Sequence, residues 1–151
     1  FGGGLSLASA INSTGLAVWM GTWISGISVW PVIFIIVAIT VLVIFLTELT
    51  SNTATTAAFL PVMASVAIGI GQNPLLLTIP ATLAASAAFM LPVATPPNAI
   101  VYGSGLVSIP QMARTGIWLN LAFTVLLSIM VYFLVQWVFG VELGVLPSWA
   151  V

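Results

Sequence analysis

Cysteine, histidine, lysine and aspartate are all absent from this chain, whose only charged side chains are Glu48, Arg114 and Glu142. Without cysteine there are no disulfides and no thiol chemistry, and without histidine the usual zinc ligand sets are missing. No base stands ready to activate a Ser or Thr nucleophile and no acid pair is present, which argues against an enzyme. A single arginine makes no basic patch, so no nucleic-acid partner is expected. The glycines at Gly2 to Gly4 lack the lysine of a phosphate loop and read as a flexible connection. No organic cofactor is implied.

Charge is the scarcest commodity of all. A soluble domain carries about a quarter of its residues as Asp, Glu, Lys and Arg, whereas here they make up 2% of 151 residues, against 62% hydrophobic. Such a surface cannot be solvated, and the expected class is an all-α membrane protein embedded in a lipid bilayer. A span needs about 20 apolar residues, which limits the chain to about four or five membrane segments. The start, FGGGLSLASAINSTG, has no initiator Met, basic region or cleavage site. It reads as a chain entered midway, with an N-terminal part missing.

Residues 1–29 mix apolar and small polar residues with Trp19 and Trp23, which suits an interfacial helix and connection; a mediocre span is the alternative. From Trp30 to Leu46 the chain is almost wholly apolar, and a second apolar helix is expected from Ala54 to Ile70. Between them lies LTELTSNTATTA, with five threonines, a serine, an asparagine and Glu48. Either two ordinary spans meet at a surface loop, or residues 30–72 form a re-entrant helical hairpin whose tip, 50–53, is buried at mid-depth. Short arms and small uncharged tip residues favour the hairpin. A third helix is expected over Leu75 to Leu91, with Pro80 inside it. PVATPPN then breaks it at 92–98, since each proline removes a donor and biases its predecessor away from the helix. Helix resumes at Ala99, so 75–107 reads as one discontinuous transmembrane helix. A final transmembrane helix follows within 114–140, with Arg114 at one end and Trp137 near the other, and 141–151 is a tail.

Discontinuous helices at mid-depth point to a transporter's binding site. Capping alone would explain Ser51, Asn52 and Thr53 before one helix and Asn98 before the other. Two helix N-termini facing one space would also hold an anion without arginine or lysine. Oxygens of Thr47, Thr50 and Asn52, with the carbonyl near Ala94, would suit a group I cation. Glu48 is open to two readings: proton coupling or charge pairing, or a structural group, either held neutral or hydrogen-bonded to nearby backbone N–H and threonine hydroxyl groups, that stabilises the hairpin.

Two motifs carry a resemblance. SNTATTA, from Ser51 to Ala57, and ASAAFMLPVATPPNAIV, from Ala85 to Val101, together resemble the divalent anion/sodium symporter family, which includes sodium-coupled dicarboxylate, citrate and sulfate transporters. The resemblance implies one of two inverted repeats, the C-terminal half of a carrier whose N-terminal half bears a second Ser-Asn-Thr motif. It implies substrate contacts at Ser51, Asn52, Thr53, Thr95 and Pro96, and a sodium site at Thr47, Thr50, Asn52 and Ala94, with Thr50 acting through its carbonyl. It further implies elevator-type transport of a small dicarboxylate with Na⁺, by a homodimer. Sodium-independent exchange and sulfate transport occur in such families, and a non-transporting membrane scaffold is the alternative of another class. The expected location is a bacterial inner membrane, multi-pass, with the Arg114 side cytoplasmic by the positive-inside rule.

Overall fold

The computed structural model describes residues 30–150 together with residues 6, 9, 10, 13–16 and 19. The interfacial helix expected over 1–29 therefore lies largely outside the described residues. Five α-helices follow: α1 (Val32–Thr47), α2 (Asn52–Gly69), α3 (Leu75–Ala84), α4 (Pro96–Gly103) and α5 (Ile109–Phe139), with a 3₁₀ turn at Ser148–Ala150. No strand occurs among the described residues.

α1 packs chiefly on α5 and α3, while α2 packs on α3 and meets α1 only sparsely. α1 and α2 therefore diverge from their shared turn, and an apolar groove of about 350 Å³ opens between them, floored by residues such as Ile39 and Val62. The core joins Ile36, Val43 and Ile44 of α1 to Val66 and Ala67 of α2, and to Leu77, Ala81 and Ala84 of α3. Gly71 ends α2 at φ +71°, the left-handed conformation that a glycine adopts without a Cβ clash. The tail is tied down in part: Gly144 N–H donates to Gln72 Oε1 at 2.9 Å.

α5 shows the environment most plainly. Its buried positions include Gly116, Asn120, Thr124 and Ser128, a stripe at four-residue spacing, while Trp118, Val125, Phe133 and Trp137 are exposed. A helix in water buries its apolar face; this one buries that small and polar stripe beside Met112, Leu127, Val131 and Val135 and leaves large apolar residues exposed, as helices surrounded by lipid do. At 31 residues, α5 is about 46 Å long. α5 and α2 are both long and apolar enough to cross a membrane.

Several boundaries differ from the sequence expectation: α2 begins at Asn52, not Ala54, and α4 ends at Gly103, short of the expected 107. The third helix ends at Ala84, not Leu91, so the break occupies 85–95 and not 92–98. ASAAFML has good helix propensity, but tertiary hydrogen bonds to its backbone override it, as described below. α4 begins at Pro96, not Ala99, because proline in the first turn has no N–H to lose. α5 begins at Ile109 through a capping box of Ser108 and Gln111, which puts Arg114 inside its second turn.

The break lies directly on α5. A Cβ built on Gly116 would stand 2.3 Å from the Phe89 carbonyl oxygen, and the Phe89 and Phe123 rings meet at 4.9 Å. Gly116→Ala is expected to destabilise the complete protein by about 1–3 kcal/mol, read as a lower thermal unfolding midpoint in detergent.

Candidate anion and cation site

The turn from α1 to α2 and the end of the break face each other across a cavity of about 780 Å³. Ser51, Asn52, Thr53, Pro92, Ala94, Thr95 and Pro96 line it, together with Val93, Ala99 and Tyr102. Every residue expected to meet a substrate is thus on one wall or the other. Tyr102 was not anticipated; its spacing from Thr95 and Ala99, four and then three residues, puts all three on one helix face.

The two walls differ chemically. Ser51 stands at the N-cap of α2 without a side-chain hydrogen bond to the first turn, and the Asn52 amide is engaged elsewhere, so capping does not account for the SNT residues. The first-turn N–H groups of α2 remain available to a ligand. α4 is unlike that. Its N-cap is Thr95, which accepts from Asn98 N–H at 3.4 Å, and Pro96 and Pro97 have no N–H to offer. The expectation of two N-termini with free N–H groups therefore holds for α2 only, and the α4 wall contributes the Thr95 side chain and apolar surface. Asn98 is not the cap: its Nδ2 donates to Ala88 O and Leu91 O, both at 3.0 Å, closing the break on itself.

Behind the tip, Thr47 is fully buried. Its Oγ1 lies 2.8 Å from Asn52 Oδ1 and 2.8 Å from Ala85 O. One hydroxyl proton satisfies one of these oxygens, not both. The second contact is favourable only if the amide turns its Nδ2 inward or a cation joins the cluster. Hard oxygen donors of this kind suit a group I cation. Ala85 was missed from sequence, where it falls inside the expected third helix. The Thr50 hydroxyl donates to Leu46 O at 2.9 Å and meets Thr55 Oγ1 at 2.6 Å, leaving its carbonyl as the group it can offer. Ala94 is buried and borders the cavity, but it is not part of the Thr47 cluster.

Glu48, 3% exposed, is not among the residues lining the cavity and reaches into the break. Its Oε1 accepts from Phe89 N–H at 2.8 Å, Met90 N–H at 2.9 Å and Asn120 Nδ2 at 2.8 Å. Its Oε2 accepts from Met90 N–H at 3.1 Å and Leu91 N–H at 3.0 Å. These bonds keep residues 89–91 from continuing α3, since N–H groups captured by a side chain do not join a helix. Of the two readings of Glu48, the structural one describes this geometry, although its partners are the break and α5 and not the neighbouring threonines.

With this geometry established, comparison with known proteins adds the lineage. The model of the sodium:sulfate symporter transmembrane region matches residues 1–145. The chain belongs to that family. It is the family of divalent anion/sodium symporters that the two motifs resemble, one of integral-membrane transporters and not of enzymes. This symporter-family chain is 49% identical over 142 residues to the sodium-dependent dicarboxylate transporter SdcS of Staphylococcus saprophyticus, across 94% of its own length and 27% of that protein's. To the protein of the same name from Staphylococcus aureus strain MRSA252 it is 47% identical over 144 residues, covering 95% and 28%. The chain therefore spans little more than a quarter of the length of these relatives.

Replacing Thr47 by Val keeps the shape and removes the hydroxyl, leaving the Ala85 carbonyl unsatisfied in a buried position. The expected loss is about 1–3 kcal/mol in the unfolding free energy of the complete protein, with Thr47→Ser close to wild type.

Proposed function

We propose that the complete protein is a secondary active transporter that carries small dicarboxylates of the C4 class together with Na⁺, and that this chain supplies one half of its binding site. The single observation that carries the reading is the shared cavity, which brings Ser51–Thr53 and Thr95–Pro96 together where a carboxylate would be held without a cationic side chain.

In this reading one substrate carboxylate accepts hydrogen bonds from the first turn of α2 and from the Ser51, Thr53 and Thr95 hydroxyls, favoured by the positive end of the α2 dipole. Na⁺ binds behind the tip through Thr47, Asn52 and the carbonyls of Thr50 and Ala85. The ion draws Asn52, which belongs to both groups, into one arrangement and offsets the substrate's charge. Binding of each would therefore favour binding of the other. The rest of the complete protein would close the pocket around the second carboxylate.

Residues 30–72 act as the re-entrant hairpin and 75–103 as the discontinuous helix of an inverted repeat. Movement is of the elevator type, within a homodimer. The bonds from Thr47 and Glu48 to the break, and from Asn120 to Glu48, support motion of the hairpin end, the break and α5 as one body. With exposed Arg114 near the start of α5 on the cytoplasmic side of a bacterial inner membrane, α5 runs outward. Sulfate is the second reading, favoured by the description of the matching family; the names of the dicarboxylate-transporting relatives favour the first.

Reconstitution of the complete protein tests this. Labelled C4 dicarboxylate uptake into liposomes is expected to need an inward sodium gradient, to fall by about tenfold or more with Asn52→Ala, and to compete poorly with sulfate. Equal uptake in potassium-only buffer would make the protein an exchanger; sulfate-driven displacement would make it a sulfate carrier. Unchanged uptake by Asn52→Ala together with failed assembly would favour a scaffold.

A further inference from the structure

Thr47 and Glu48, adjacent at the end of α1, both reach the same non-helical segment. Thr47 Oγ1 meets the Ala85 carbonyl at its beginning, and the Glu48 carboxylate collects the successive N–H groups of Phe89, Met90 and Leu91 at its middle. Successive N–H groups aimed at one point form an anion-binding concavity; here the occupant is the chain's own side chain. Leu91 passes the constraint on, because its carbonyl accepts from Asn98 Nδ2 at 3.0 Å and from Ala94 N–H at 3.2 Å. Ala94 and Thr95 then line the cavity.

We infer that Glu48 is a positioning residue: as an acceptor-only carboxylate it holds residues 85–91 in the shape that puts the Ala85 carbonyl beside Thr47 and Asn52 and fixes the Ala94–Thr95 wall, so that ion affinity depends on a side chain that touches neither ion nor substrate. The inference rests on the sodium-coupled reading given above. The donor pattern sets it apart from a proton carrier. Four of the five contacts to the carboxyl group are backbone N–H groups, which can only donate, so the group is held chiefly as an acceptor. Asn120 supports the same state: its Nδ2 faces Oε1, and its Oδ1 has no partner among the described residues, so the carboxylate alone orients the amide.

Glu48→Gln keeps the shape but offers one acceptor oxygen, and its amide NH₂ must face the N–H groups of Met90 and Leu91. The break then has to be re-formed when the ion binds, which raises the apparent dissociation constant while leaving the loaded state competent. The test is initial dicarboxylate uptake by the complete protein in proteoliposomes as a function of sodium, normalised to folded transporter. For Glu48→Gln the sodium half-saturation is expected to rise about tenfold, with the maximal rate within about threefold of wild type. Asn120→Leu removes one donor outside the cavity lining and is expected to raise half-saturation about threefold; it decides the matter if Glu48→Gln does not fold. Half-saturation unchanged in the folded variants would overturn the inference, as would a fall in maximal rate alone, the mark of a merely structural role. Should wild-type uptake prove independent of sodium, the coupling claim fails by itself. The positioning role is then read from the dicarboxylate half-saturation, which must rise in Glu48→Gln or the role fails too.

Discussion

A buried carboxylate holding three consecutive backbone N–H groups is the interaction on which the rest of this structure depends. Taking one negative charge out of water is expensive, and a chain with three charged side chains in 151 residues does so once here, at Glu48, without a cationic partner among the described residues. Five donor contacts to the two carboxylate oxygens offset that cost. In return, the carboxylate solves a problem that any broken helix in lipid faces: N–H groups released from the helix ladder have no water to bond. α1, the break and α5 meet at this point.

Around that point the polar groups are divided by task. Thr47 and Asn52 face inward and gather oxygens with a single hydroxyl proton among them. Ser51 and Thr53 face the cavity with the open first turn of α2. On the opposite wall, Thr95, Pro96 and Pro97 close the end of α4, so the two helix starts that look alike in sequence are not equivalent. One retains N–H groups for a ligand, while the other is sealed by a cap and two prolines. The sealed start, with Asn98 bonded back to Ala88 and Leu91, is better suited to keeping the wall rigid than to donating hydrogen bonds.

Much of this was readable in the sequence for a simple physical reason. Where nearly every residue is apolar, the polar ones must be satisfied internally, so 47–53 and the proline-rich 92–98 stood out as places where the chain leaves regular helix. What was not readable depended on contacts distant in sequence. ASAAFML is good helix-forming sequence, but a carboxylate 41 to 43 residues earlier takes the N–H groups of Phe89 to Leu91, and Thr47 and Asn98 meet the carbonyls of Ala85 and Ala88. Ala85 was hidden by the same error, since a carbonyl inside a helix has its partner already. Asn120, 72 residues from Glu48, looked like one polar residue in a spanning helix. Its role follows from the inverted pattern of α5, in which Gly116, Asn120, Thr124 and Ser128 make the buried stripe. Asn98 was taken as a cap because asparagine often is one, but Thr95, placed just before two prolines, fills that position.

The central claim is that the α1–α2 turn and the end of the break form two walls of one anion site, with the cation behind the turn. It is tested most directly by a structure of the complete protein determined with sodium and a C4 dicarboxylate bound. The account predicts a carboxylate of the substrate between the first turn of α2 at Ser51–Thr53 and the Thr95–Pro96 wall, and an ion among the oxygens of Thr47, Asn52 and the break. Substrate density lodged elsewhere, with Ser51–Thr53 and Thr95 bonded only to other parts of the protein, would contradict it.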